Sequence, residues 1–445
     1  MKHDIVPVEV LEALRAVGDP ALPRPGDVFA TTQAEGFLRV PGLRDVTTPD
    51  ASIVAAINQV SPDADKVGLA NRLFAEYGTE ISGALLLAAL PQAYATVWGS
   101  RVLTATAALQ QDFRRRIVRT AQFLLIVMRQ PMGKEEIRHL WPTDATTDLE
   151  TSSSAPEDTR PWQACLAIRR FHESIRQQIR TSPELTEAVG TENKVPLNQE
   201  DLLGMLLSFT VTVFEVLEQF GITWSADEQE AYLHVWDLVG AHLGVGSARA
   251  RRETKARLSE ATRGRIPPRM LTENQQGWIG LRPVSISDTR LLLDQIRRRQ
   301  WPPAALVPRD GGAADASLGG DTRSGRLLLR ALLNELAASM PPRLRPLALS
   351  VIRRLAPPPV RERLNLGGGG IVLSMLDVLP QRKVRVDPFT VVPGTNPLTA
   401  KVTRMMANEV TMRAMVRFLR TESLFLPGLA EWSRDLIDPM EEGIA

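Results

Sequence analysis

Arg169, His172 and Arg176 stand three and four residues apart, a spacing that puts all three on one side of a helix. A neutral imidazole is a common metal ligand, and guanidinium groups one turn above and below it suit a bound group carrying carboxylates. An ordinary half-buried histidine between two solvated arginines has the same spacing, and from spacing alone that is the better reading. A second set lies upstream. Arg114, Arg115, Arg116 and Arg119 crowd the first turns of a helix whose continuation, Ala121 to Met128, is nearly all apolar. Arg116 and Thr120 share a face there. Cations at a helix N-terminus oppose its macrodipole, so an anionic group is expected nearby; Asp112 and surface carboxylates serve as well as a ligand.

Other constellations carry less. The histidines are His3, His139, His172, His234 and His242, and Cys165 is the one cysteine, which excludes an internal disulfide and any multi-cysteine zinc or iron–sulfur site. Glu136 and His139 match the Glu-x-x-His element of a di-iron bundle, which needs a second copy that the chain lacks. Glu230 and His234, four apart, either share a metal or pair on a helix surface. The glycines Gly367 to Gly370 precede no Lys-Ser/Thr and form no phosphate loop. There is no Gly-x-Ser-x-Gly, and Cys165 has no evident base beside it.

These residues sit on a chain that reads as helix. Of 445 residues, 44% are apolar and 23% charged, an average soluble composition. Lys and Arg (53) nearly balance Asp and Glu (51) for a net charge of +2, so no strong pull toward nucleic acid or anionic membrane is expected. Asp112 can cap a helix from Phe113 to about Arg129, and Pro161 opens another that runs to about Arg180. Asn198 and Asp201 are spaced like a capping box before Leu202 to Phe220, with Gly221 closing; Ser225 and Glu228 repeat the device before Glu230 to Leu243, closed by Gly244. Leu327 to Met340 stops at Pro341. The uncharged stretch Ile81 to Ser100 is long enough to cross a bilayer, but Pro91 divides it, and a buried helix, a proline turn and a second helix are expected rather than a membrane span. No basic stretch leads into an apolar one at the N-terminus, so the expectation is a soluble, cytoplasmic protein.

Thr143 to Asp158 and Arg309 to Gly325 have loop composition. The glycine run after Asn365 marks a boundary. The expected organisation is an N-terminal segment (1–35), a main body (36–366) and a helical extension (371–445) whose helix, about Leu398 to Arg420, is rich in methionine and arginine.

Several segments together resemble the latex-clearing protein, or rubber oxygenase, family and the related MpaB-like haem oxygenases. They are the run Ala84 to Ala95 (ALLLAALPQAYA) with Gly99, Val102 and Leu103; Arg116 to Gln122 (RIVRTAQ); Arg169 to Arg176 (RRFHESIR); Asn198 to Leu202 (NQEDL); Glu230 to Gly240 (EAYLHVWDLVG); and the tail from Met340 to Arg353. They follow in the family's order between about Gly36 and Leu366. The resemblance implies an all-α fold, one large helical body with a globin-like core that binds haem b. It implies His172 as the axial iron ligand, Arg169 and Arg176 as its cofactor-binding support, and Arg116, Arg119 and Thr120 as the catalytic, distal side.

Two departures shape the expected chemistry. Where the family shows Arg-x-x-Lys-Thr, this chain has Arg119 for the lysine, and a guanidinium does not lose the proton that an iron ligand must lose. An open or water-filled distal position follows. Rubber-cleaving relatives also use an upstream glutamate as a base, whereas between Glu80 and Glu135 the one carboxylate here is Asp112. The expectation is a haem-dependent oxygenase that takes dioxygen and a small apolar, unsaturated isoprenoid or polyketide-like molecule in biosynthesis, rather than polyisoprene. The alternative is a haem or apolar-ligand protein that binds or senses without turnover.

Overall fold

Capped helices joined by short turns account for nearly all of what the computed structural model describes: residues 4–18, 60–105, 117, 120–128, 140–141, 161–190, 195–262, 271, 278–301, 322–339 and 345–367. Among these residues the strands are confined to one hairpin of two-residue strands, β1 (Trp278–Ile279) and β2 (Arg282–Pro283), paired antiparallel. The fold is all-α, as the helical signals require.

Three long helices make the centre. α2 (Ala64–Ala84) packs along α9 (Ala226–His242), and α8 (Gln199–Gln219) lies against both. Around them stand α1 (Val8–Arg15), α4 (Val97–Ala105), α5 (120–128), α6 (Pro161–Thr181), α7 (Pro183–Val189), α10 (Ala248–Thr262) and α11 (Ile286–Gln300). The central core joins Phe74, Ile81, Val211, Phe214, Tyr232 and Leu238, all at most 2% exposed. Phe214, Trp224 and Tyr232 meet edge-on or tilted at 5.4–5.8 Å between centroids, a geometry that adds about 0.5–1.5 kcal/mol per pair beyond area burial. A smaller core holds Tyr94, Leu328, Leu332, Ile352 and Val360 between α3 (Leu90–Tyr94), α12 (Arg323–Ser339), α13 (Arg345–Leu355) and α14 (Pro358–Arg363). Gly325 on α12 lies directly against the Tyr94 carbonyl, where any Cβ would collide.

Asn198 and Ser225 cap their helices as expected, Asn198 without the reciprocal half of a capping box, and the helices begin a little before their apolar runs. The Asn198 side chain accepts from Asp201 N–H (3.0 Å), and its amide donates to the Asp201 carboxylate (2.8 Å). Ser225 and Glu228 form a complete capping box, so α9 starts at Ala226 rather than Glu230. α12 starts at Arg323 rather than Leu327. Gly221 and Gly244 close their helices with φ of 76° and 78°, the left-handed conformation glycine adopts without steric cost.

Pro91 is the exception. No proline turn interrupts the stretch from Ile81. α2 instead widens into a π-helical segment, Leu85–Ala89, in which Leu90 N–H donates to the Leu85 carbonyl five residues back, and α3 continues with Pro91 in its first turn. The wider turn relieves the clash a proline ring makes with the carbonyl four residues before it. The break comes later, at Ala95 and Thr96. Ala64–Tyr94 is consequently continuous, long and apolar enough to cross a membrane by length and composition, with 50% of its apolar window buried inside the fold.

The methionine-rich helix and the 371–445 extension lie outside the described residues. So do the 143–158 loop, most of the 309–325 loop and residues 113–116 of the arginine-led helix.

Candidate functional site

α6 carries the histidine of interest, and the reason it buries one face is its pattern. Cys165, Ile168, Ile175 and Ile179 recur at helical spacing, with Cys165 at 0%, Ile175 at 8% and Ile179 at 4% exposure. His172 falls at the centre of this stripe, two turns from Cys165 and two from Ile179. The sequence had suggested Phe171 as part of the stripe; Phe171 is 40% exposed and points outward. His172 keeps partial exposure and its Nδ1 is buried. Among the described residues no group of three His, Cys, Asp or Glu side chains could hold a metal ion. Haem brings most of its own ligands and would need a single histidine from the protein.

The arginines beside it are both buried, Arg169 at 2% and Arg176 at 4%, so neither is the solvated arginine that spacing alone allowed. Arg169 donates through Nη1 to the His242 carbonyl at the end of α9 (3.4 Å). Arg176 donates to the Glu173 carboxylate (3.0 Å) and to the Leu197 carbonyl (3.1 Å). They thereby fix α6 to α9 and to the segment leading into α8. Their partners include backbone carbonyls and Glu173.

His242 was not singled out by its sequence context, yet it stands in this region. It is 2% exposed and packs edge-on against Trp141, with centroids 5.2 Å apart at 67°. Its Nδ1 donates to the Leu238 carbonyl (2.8 Å), which leaves the lone pair on Nε2. Cys165 is fully buried, and burial pushes its thiol far above the ordinary range, in keeping with its exclusion as a nucleophile. Of the proposed distal residues, Thr120 begins the described part of α5 and is partly buried. Arg116, Arg119, Asp112 and His139 lie outside the described residues.

Two of the quoted segments turn out to be junctions between helices. In the first, each polar residue has its own task. Asn198 caps α8, and Gln199 joins the chain after α1 to the turn after α9 by donating to Gly18 O (3.2 Å) and Gly244 O (3.3 Å) and accepting from Gly246 N–H (2.8 Å). Glu200, at 0% exposure, meets Arg299 (3.0 Å) and Arg15 (3.5 Å). Burial raises the Glu200 pKa, against the lowering by its two arginines.

In the second segment, Glu230 and His234 each take a different partner rather than pairing with each other. Glu230 meets Lys66 (3.3 Å) and Arg282 (3.4 Å). His234 is buried and its Nε2 accepts the Asp63 N–H (2.9 Å), while Asp63 caps α2 through Asp65 N–H and Lys66 N–H. Burial pushes the His234 pKa down to about 4. Asp237 receives both Nε (2.6 Å) and Nη2 (2.5 Å) of Arg282, and burial, outweighing that pairing, pushes its carboxyl up to about 6. Arg282, supplied from the hairpin, carries no local signal that could have announced this role.

Comparison with known proteins follows the same line. A rubber oxygenase from Streptomyces sp. (strain K30) is 31% identical over 77 residues, covering 17% of this chain and 19% of that protein; the match thus spans about a fifth of the relative's length. The structure of latex clearing protein LCP in its closed state aligns with 91% of this chain and 84% of its own, at 16% identity and a TM-score of 0.49. The family model described as ER-bound oxygenase mpaB/B'/rubber oxygenase, catalytic domain, matches residues 78–374, about two thirds of the sequence, and the chain belongs to that family.

Proposed function

We propose that this chain is a haem-b-dependent oxygenase acting with dioxygen on a small apolar, unsaturated, isoprenoid or polyketide-like molecule. Family membership carries the reading, and the inward position of His172 on α6 supports it. In this reading His172 would hold the haem iron. Haem supplies the dioxygen chemistry that protein side chains lack. The chain's own part is orientation and exclusion of water. The stripe from Cys165 to Ile179 sets the direction of the imidazole. Arg169 and Arg176 hold α6 on α9 and on the start of α8, one turn either side of His172. Arg116, Arg119 and Thr120 would supply the distal side that the resemblance implies, where a guanidinium could donate a hydrogen bond to a polarised oxygen.

The scarcity of carboxylates upstream of the distal segment, Asp112 alone between Glu80 and Glu135, favours a small alkene over a reaction that removes an allylic proton from polyisoprene. The test is direct. Purified protein should show an intense absorption band at ~410 nm and consume oxygen while converting a small apolar alkene, with no oligo-isoprenoid aldehydes from latex. A colourless protein that takes up no added haemin overturns the reading. Haem without oxygen consumption in the presence of alkenes leaves the binding or sensing protein instead.

A further inference from the structure

Gln199, the first residue of α8, is completely buried. Its side-chain amide uses both hydrogens, one on the Gly18 carbonyl and one on the Gly244 carbonyl, and its oxygen accepts from Gly246 N–H. Its backbone N–H donates to the Val17 carbonyl (2.8 Å). One residue therefore ties together the chain after α1, the start of α8 and the turn after α9.

The same three points hold α6. Arg169, one turn before His172, donates to the His242 carbonyl, two residues before Gly244. Arg176, one turn after His172, donates to the Leu197 carbonyl, two residues before Gln199. Gly18 lies beside that guanidinium, where a Cβ would stand 3.4 Å from Arg176 Nε. Leu197 has a φ of 53°, a left-handed conformation that is costly for a residue with a Cβ and persists where its surroundings enforce it. The enforcing contacts adjoin it. Asn198 donates to the Val195 carbonyl (3.0 Å) and bridges to Gly18, and Gln199 is anchored as above.

We infer that Gln199 is a positioning residue for His172. α6 is seated on two carbonyls, one on each side of the histidine, and the Gln199 side chain sets the separation between them. The orientation in which the imidazole is presented follows from that separation. The consequence at a haem iron rests on the haem reading of His172; the consequence for α6 needs no haem.

The test compares the full-length protein with Gln199→Met, which keeps the side-chain length and removes its hydrogen bonds. Tyr232→Phe is the control, since it removes a buried hydrogen bond to the Phe209 carbonyl (3.3 Å) elsewhere on α9. In Gln199→Met, peptides of α6 should exchange amide hydrogens roughly tenfold faster, with α2 unchanged. With haem loaded, the same variant should shift the iron–histidine stretching band of the ferrous protein and release haem to apomyoglobin roughly tenfold faster. Tyr232→Phe should move none of these. Combined with Arg169→Met, the effect on haem release should fall short of the product of the two, because both act on one seat. Gln199→Asn, a methylene too short to span both carbonyls, serves if Gln199→Met does not fold. In the native chain, exchange in mild urea should show α6 and residues 243–247 opening as one unit, a readout that needs no variant. A folded Gln199 variant with unchanged α6 exchange and an unchanged band overturns the inference. So does an equal change in Tyr232→Phe, a fully multiplicative double variant, or independent opening of α6 and the turn. A native protein that takes up no haem ends the haem reading, and the exchange measurements then decide by themselves what Gln199 does to α6.

Discussion

The Arg169 guanidinium on α6 reaches the carbonyl of His242 on α9, 3.4 Å away, and both residues are only 2% exposed. The contact uses two features at once: a cation that cannot neutralise, and a carbonyl at the negative end of a helix. It holds the helix bearing His172 one turn from the histidine itself. Arg169→Met removes the donor that reaches the His242 carbonyl in the interior. A loss of about 1.5–3 kcal/mol is expected, read by urea unfolding, together with lower haem retention. Arg169→Lys should recover part of both. Unchanged stability and haem content would show that this contact positions nothing.

His172→Ala should abolish or severely reduce haem retention, whereas His139→Ala should leave the haem-to-protein ratio intact. His234→Gln should also retain haem, because the His234 Nε2 already accepts the Asp63 N–H. If His172→Ala keeps its haem, His242 is the next residue to replace, since its hydrogen bond to Leu238 leaves the lone pair on Nε2.

Arg119 in place of a lysine leads to a spectroscopic expectation. The ferric protein should be water-ligated or five-coordinate and should bind added imidazole readily, because a guanidinium stays protonated. Arg119→Lys should move the resting spectrum toward six-coordinate low spin. A native resting state that is low spin and indifferent to imidazole would contradict the open site.

His234 makes stability depend on acidity in a defined direction. Burial pushes its pKa down to about 4 in the fold, against about 6.5 for an unperturbed ring. The unfolded chain therefore takes up the proton first. The contribution of His234 is full above about pH 6.5 and falls by about 3 kcal/mol as pH drops toward 4. Asp237 runs the other way: with its carboxyl pushed up to about 6, its contribution falls as pH rises from about 4 to 6. His234→Gln keeps an acceptor for Asp63 and removes the titration, while Asp237 remains in both proteins. The stability gap between native protein and variant should shrink by about 3 kcal/mol between pH 7 and pH 4. A constant gap in paired unfolding curves would show that the ring does not titrate as its burial requires.

The sequence by itself determined what neighbouring residues can settle. Asn198, Ser225, Gly221 and Gly244 announce helix ends because the groups they satisfy lie within three or four residues of them. The ordered segments from Ala84 to Arg353 placed the chain in its family, and Pro161 marked the start of the helix that carries His172. Tertiary structure decided the rest. Pro91 reads as a break, and packing against α8 and α13 accompanies a π-helical turn that accommodates it instead. Phe171 and His172 are adjacent, and the docking of α6 on α9 and α7 turns the aromatic outward and the imidazole inward. His234 finds the Asp63 N–H across 171 residues, and Arg282 finds Asp237 across 45. Partners at such separations leave no periodicity or spacing in the chain. They meet only when the apolar faces of the helices have chosen their neighbours, and the buried charges then take the partners that packing brings within reach.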